Sequence, residues 1–203
     1  MRFVSHLDMT RFMQRATARA ELPLWRTEGF NPRPYITFAL PLSLGFESSY
    51  EIMEFRLTDD GFDISSLPAL LNAVCPEYIR FFDAAEPIKK MKSVSFADFA
   101  VTLDDGGKFA DALREFLKRG EILCEKKTKR GEIKQLDLAP QIDCAEVSEE
   151  NGNTLLKLRL PAGPVNNINP ELLLGAFFNF QNEKCGCSIL RTAILDEDKQ
   201  LFR

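Results

Sequence analysis

The chain's one histidine stands in the stretch Ser5-His6-Leu7-Asp8. An imidazole with a hydroxyl and a carboxylate beside it is material for acid–base chemistry near neutral pH, so His6 and Asp8 are the candidate catalytic residues. A Ser-His-Asp triad needs its members to converge in space, and residues this close on one helical turn point different ways. The same residues have a structural reading. Ser5 caps a helix, and Asp8, three positions on, completes a capping box and suits the helix dipole.

Arg11, Arg15 and Arg19 follow at intervals of four, on one helical stripe with Asp8 at its N-terminal end. Like charges at that spacing cost about 0.2–0.5 kcal/mol per pair. Acidic neighbours offset that cost, and so does a bound anion such as phosphate, which arginine grips bidentately. A solvated face, salt-bridged to an acidic body, is the plainer alternative. The next segment, Gly29-Phe30-Asn31-Pro32-Arg33-Pro34, is stiff. Gly29 can take positive φ, while the two prolines fix their own φ and push Asn31 and Arg33 toward extended conformations. Ordering such a loop loses little further entropy, which suits rigid presentation of Arg33 and Asn31 to a ligand. The alternative is a loop stiffened only to enter the following strand. If it folds back over the helix, the binding set is His6, Arg11, Arg15, Glu28, Asn31 and Arg33. In that arrangement Glu28 and Asp8 orient the guanidinium groups, and His6 donates a hydrogen bond rather than acting as a base.

Cofactor chemistry finds little support. Cys75, Cys124 and Cys144 are isolated, and Cys185-Gly186-Cys187 has no histidine or second pair near it. A closed zinc site needs four ligands, so no metal is expected. Neither the phosphate loop G-x-x-x-x-G-K-[ST] nor G-x-G-x-x-G occurs, so this chain is expected to bind no cofactor. Five scattered cysteines, an odd number, suggest reduced thiols and a cytoplasmic protein. No run of about 18 apolar residues exists, so no membrane partner is expected. The N-terminal stretch lacks the apolar core and cleavage site of a signal peptide.

Charge sharpens the partner question. Lysine and arginine number 26 against 30 acids, a net −4, which argues against coating nucleic acid with the whole surface. The distribution is uneven, however. Residues 1–34 carry six arginines against three carboxylates, and residues 118–134 carry Lys118, Arg119, Lys126, Lys127, Lys129, Arg130 and Lys134 against three glutamates. Two basic patches on an acidic body imply a localised anionic partner, or simply two solvated faces.

These side chains need elements to hold them. Met9, Phe12, Met13, Ala16 and Ala20 recur at helical spacing, and Pro23 ends that helix by Leu22. Residues 35–40 and 50–57 alternate as strands, 62–76 form a helix with Pro68 in its first turn, and 78–88 read as a strand. Lys89–Ser93 is a polar joint. Beyond it come a strand over 93–103, a helix over 108–118, a hairpin turning at Lys129-Arg130-Gly131 and a second through Asn151-Gly152. A helix opened by Asn169-Pro170 and a last strand over 187–195 complete the order. Each half therefore approximates β-α-β-β-α-β. The expectation is α+β: tandem ferredoxin-like (split βαβ) domains with antiparallel sheets, residues 1–89 and 90–203. The first strand of the first domain is missing or truncated, since only Arg2-Phe3-Val4 precedes the helix. That gap is filled by another segment, closed by a homodimer, or left open.

The block from Phe3 to Phe55 resembles a known family. Ser5 to Asp8, Gly29 to Pro32, Phe38 to Leu42, Gly45 with Ser48, and Glu51 match the pattern of the radical-SAM-linked domain of unknown function 2344, and residues 129–140 and 168–177 resemble its second half. Members of that family usually carry about a dozen more residues before Arg2-Phe3, and here that first strand is missing or cut. The resemblance implies a partner radical-SAM protein that uses S-adenosylmethionine and an iron–sulfur cluster, with RNA or a ribosomal component as the modified substrate. The expected function is a non-catalytic accessory module that binds substrate for that partner. The alternatives are a stand-alone RNA-modifying or RNA-processing enzyme using His6 and Asp8, or a protein–protein scaffold.

Overall fold

A computed structural model describes residues 2–127, 131 and 133–203. The fold is mixed α+β, with four α-helices among the described residues. The chain forms two compact units. One comprises Met1–Gly45, Glu51–Met91 and Arg203, and the other Phe46–Tyr50 and Lys92–Phe202. Residues 46–50, expected in the first domain, thus belong to the second unit.

The first unit is built on α1 (His6–Arg19). Ser5 caps it, its hydroxyl accepting from the Asp8 N–H at 3.2 Å and donating to the Asp8 carboxylate at 2.7 Å. Met13, Ala16, Leu22, Leu24, Ile36, Leu67 and Leu71 form the buried core, so one face of α1 packs against β1 (Ile36–Phe38) and α2 (Leu67–Val74). β1 pairs antiparallel with β3 (Met53–Phe55), in a sheet of only two strands. An isolated bridge between Leu24 and Leu57 extends the pairing.

The first unit corrects the expected tandem arrangement, because it has no four-stranded sheet among its described residues. Residues 78–88 are not a strand. Their apolar alternation is real: Phe81 packs on the core and Phe82 is exposed. The backbone is held by a side chain rather than by a neighbouring strand. Asn72 of α2 donates its amide to the Phe81 carbonyl at 2.8 Å and accepts the Phe81 N–H at 2.9 Å.

The second unit orders its strands β2-β9-β4-β8-β7. These are β2 (Glu47–Ser48), β4 (Val94–Asp104), β7 (Cys144–Glu150), β8 (Asn153–Pro161) and β9 (Gly186–Asp196). β4 runs antiparallel to β8 and β9, and β7 to β8, while the short β2 lies parallel to β9. A separate hairpin joins β5 (Leu123–Lys127) and β6 (Ile133–Asp137); its expected turn residues Lys129 and Arg130 lie outside the described residues. Asn151 and Gly152, at φ 51° and 74°, close the β7–β8 hairpin with the two positive-φ residues such a turn needs. Helices α3 (Ala110–Leu117) and α4 (Pro170–Gln181) share an aromatic core. In it the Phe177 ring meets Phe109 at 5.6 Å and Phe116 at 5.4 Å. Asn169 caps α4 through the Glu171 N–H, with Pro170 in its first turn.

Asp105 anchors this unit. Its carboxylate accepts from the Gly107 and Phe109 N–H groups before α3, and from both the N–H and the hydroxyl of Thr154 at the start of β8. Partial burial pushes this carboxyl up, but the bonds from Thr154, Phe109 and Gly107 outweigh it and hold the group below the usual aspartate range.

Candidate functional site

The segment from Trp25 to Tyr35 returns on itself as a closed loop. The Thr27 N–H donates to the Arg33 carbonyl at 2.9 Å, and the Arg33 N–H donates to the Thr27 hydroxyl at 3.2 Å. Behind them Arg26 bridges Pro34, and the Tyr35 N–H donates to the Trp25 carbonyl at 3.1 Å. The prolines explain this pattern. Pro32 and Pro34 have no N–H, so Arg33 and Tyr35 hold the only donors on that side, and both are used. Gly29 turns the loop at φ 127°. Gln14 ties the loop base to α1, its amide donating to the Pro34 carbonyl at 3.3 Å.

Between the loop base and α1 lies an open concavity of about 360 Å³. Arg11, Gln14, Arg15 and Ala18 line it from α1, at the spacing of one helical face, and Arg26, Arg33 and Pro34 line it from the loop. Four arginines therefore surround one space, and among the described residues its lining holds no carboxylate. Arg11 has a partner, Asp8, at 3.6 Å, in an exposed pair that contributes little. Arg15, Arg26 and Arg33 have no acidic partner among the described residues.

The structure thus brings Arg11, Arg15 and Arg33 together and adds Arg26. His6, Glu28 and Asn31 are exposed and do not line the space. The His6 ring sits edge-on to Phe38, with centroids 5.4 Å apart. Asp8 bonds directly to Ser5, so the two flank no shared imidazole. Arg19 leaves the stripe and donates to the Val74 carbonyl at 3.3 Å, at the C-terminal end of α2, where the helix dipole favours a cation. Sequence reasoning counted Arg26 as charge but did not place it. Its backbone bridge to Pro34 puts both residues on one side of the loop.

Other chemistry is sparse. Burial pushes the Cys75 thiol up, against the pull of Arg19. Burial also raises Cys185, helped by Asp105, Cys187 and Asp104. Thiols so raised are poor nucleophiles. Among the described residues no group of three or more His, Cys, Asp or Glu could hold a metal ion, and no helix is long and apolar enough to cross a membrane. In the second basic patch Lys118 pairs with Glu115 at 2.7 Å and Arg119 lies over the Phe180 ring at 4.7 Å. Lys129 and Arg130, with the side chains of Lys126, Lys127 and Lys134, lie outside the described residues.

No curated protein matches the sequence. Residues 1–170, which include α1, the arginine loop and most of the second unit, match a bacterial family, and the chain belongs to it: the family described as uncharacterized protein conserved in bacteria (DUF2344).

Proposed function

We propose that this protein is a non-catalytic binding module whose first unit grips the phosphates of an RNA substrate and presents it to a partner enzyme. The observation that carries the proposal is the concavity lined by Arg11, Arg15, Arg26 and Arg33 with no carboxylate among the described residues of its wall. Clustered guanidinium groups repel one another, and a phosphate oxygen relieves that repulsion through charge-assisted, often bidentate bonds. Open access suits a chain-like ligand whose phosphates follow one another. From the family resemblance we take the partner to be a radical-SAM protein, bringing its own S-adenosylmethionine and iron–sulfur cluster, that modifies RNA or a ribosomal component. In the second unit, β9-β4-β8-β7 interleaved with α3 and α4 follows the split βαβ order, and we read that unit as a ferredoxin-like scaffold. His6 and Asp8 serve the start of α1 in this reading, not catalysis.

Titrating a labelled RNA at rising potassium chloride tests the proposal. Affinity falls linearly on a log–log plot, and removing one phosphate contact with Arg33→Ala lowers the slope by about one unit while the melting temperature stays the same. Binding that ignores salt, or an Arg33→Ala protein that melts earlier yet binds as well, would show the loop to be structural. His6→Ala is expected to leave binding unchanged.

A further inference from the structure

Phe30 stands at the apex of the closed loop, three residues from Thr27 and three from Arg33. It is the most exposed large hydrophobic side chain among the described residues. Among the described residues no ring contact or hydrogen bond holds it against the body. An apolar ring left wholly in water is unfavourable, and a flexible loop would let it fold back onto nearby apolar surface. This loop cannot readily do so. It is closed by both Thr27–Arg33 bonds, turned by Gly29 and stiffened by Pro32 and Pro34. The same closure that aims Arg33 into the arginine concavity holds Phe30 out in solvent.

We propose that Phe30 is a stacking platform for an unpaired nucleobase, so that the site takes single-stranded rather than duplex RNA. The inference rests on the phosphate-binding reading of the concavity. An aromatic ring beside a cationic groove is the combination that holds single strands, because every base has a flat face and every link a phosphate. In a duplex those faces are already stacked and paired, leaving the ring nothing to cover. The reach fits as well. Phe30 and Arg33 are separated by at most about 10 Å of extended chain, short enough for a base on the ring and a neighbouring phosphate at the arginines.

The test compares a labelled oligouridine with an abasic oligomer of the same length and charge. Phe30→Ala is expected to weaken oligouridine binding by roughly 5- to 150-fold, the loss of one base–aromatic stack. It leaves abasic binding and the melting temperature unchanged. Arg33→Ala weakens both ligands alike. Phe30→Trp keeps the affinity, and its added indole emission is quenched by oligouridine but not by the abasic chain. Equal oligouridine affinity in wild type and Phe30→Ala overturns the inference and leaves the ring for another partner, such as a protein. So does an equal loss on the abasic chain. If wild type binds neither oligomer, the phosphate-binding reading itself fails, a result distinct from both.

Discussion

The two units treat their cations in opposite ways. In the second, Arg159 makes a bidentate pair with Asp98 at 2.7 and 3.0 Å, Lys108 bonds Glu183 at 2.6 Å, and Arg114 joins Asp111 at 2.6 Å while also donating to the Val147 carbonyl. In the first, Arg15, Arg26 and Arg33 converge with no carboxylate lining the space among the described residues. Shortage is not the cause, since the chain has 30 acids for 26 bases. The second unit uses charge to fasten strands and helices. The first leaves charge unspent where its backbone is stiffest. Pairing marks scaffold, and unpaired clustering on a rigid frame marks a surface arranged for something outside the chain.

The largest expected effect lies in the second unit's core. Phe177 is fully buried, in contact with Phe109, Phe116 and Phe178. Phe177→Ala is expected to cost about 3–5 kcal/mol, read as a lower urea midpoint. If that unit is scaffold and the arginine site stands alone, RNA affinity measured well below the new midpoint stays at the wild-type value. A smaller effect comes from Asp98→Ala, which strips the bidentate partner from the half-buried Arg159. Asp143 remains 3.8 Å away, so the expected loss is about 1–2 kcal/mol. Asp8→Asn, which removes the acid beside Arg11 but keeps a polar side chain there, should cost under about 1 kcal/mol. Equal losses from the two would erase the contrast between the units.

Asp105 gives the contrast a pH axis. Its carboxyl is held below the ordinary value by the Thr154, Phe109 and Gly107 bonds, against partial burial. A depressed folded value stabilises the protein above the unfolded value, about 3.9, and that contribution fades as pH falls through the folded one. Asp105→Asn turns one accepting oxygen into an amide NH2, so the Phe109 N–H loses its acceptor, and it should cost about 0.5–1.5 kcal/mol at neutral pH. The gap between wild type and variant should narrow as pH drops below about 4. A gap of constant width would mean that the charge on Asp105 contributes nothing.

What the sequence disclosed was mostly local. Ser5 with Asp8, Asn151-Gly152 and Asn169-Pro170 act within a few residues of themselves, and each makes the cap or turn its chemistry demands. The misses were non-local. Residues 78–88 alternate like a strand, but Asn72 satisfies the backbone at Phe81 in place of a neighbouring strand. Glu47–Ser48 form a two-residue strand parallel to β9, too short for any periodicity and paired with residues far along the chain. In the site, the stripe of Arg11 and Arg15 and the stiffness around Arg33 were legible. The departure of Arg19 to α2 and the arrival of Arg26 depend on packing that no spacing rule reports.

The smallest expected effect separates the two uses of charge most cleanly, because its sign differs between them. Arg15 lies four residues from Arg11 and four from Arg19 on α1, and it faces Arg26 and Arg33 across the concavity. Every near charge among those lining the space has its own sign. Arg15→Gln keeps a long, helix-favouring side chain and removes that repulsion. The variant should therefore gain a few tenths of a kcal/mol, about 0.2–0.5 per like pair relieved, measured by urea unfolding at low ionic strength. The gain should shrink in high salt, where the exposed charges are already screened. The same substitution should weaken RNA binding and lower its salt slope. A stabilised protein that binds less well means that these arginines stand together at a cost the ligand offsets. If Arg15→Gln instead destabilises at low salt, Arg15 serves the fold much as Arg159 does, and the two units do not differ in the way proposed.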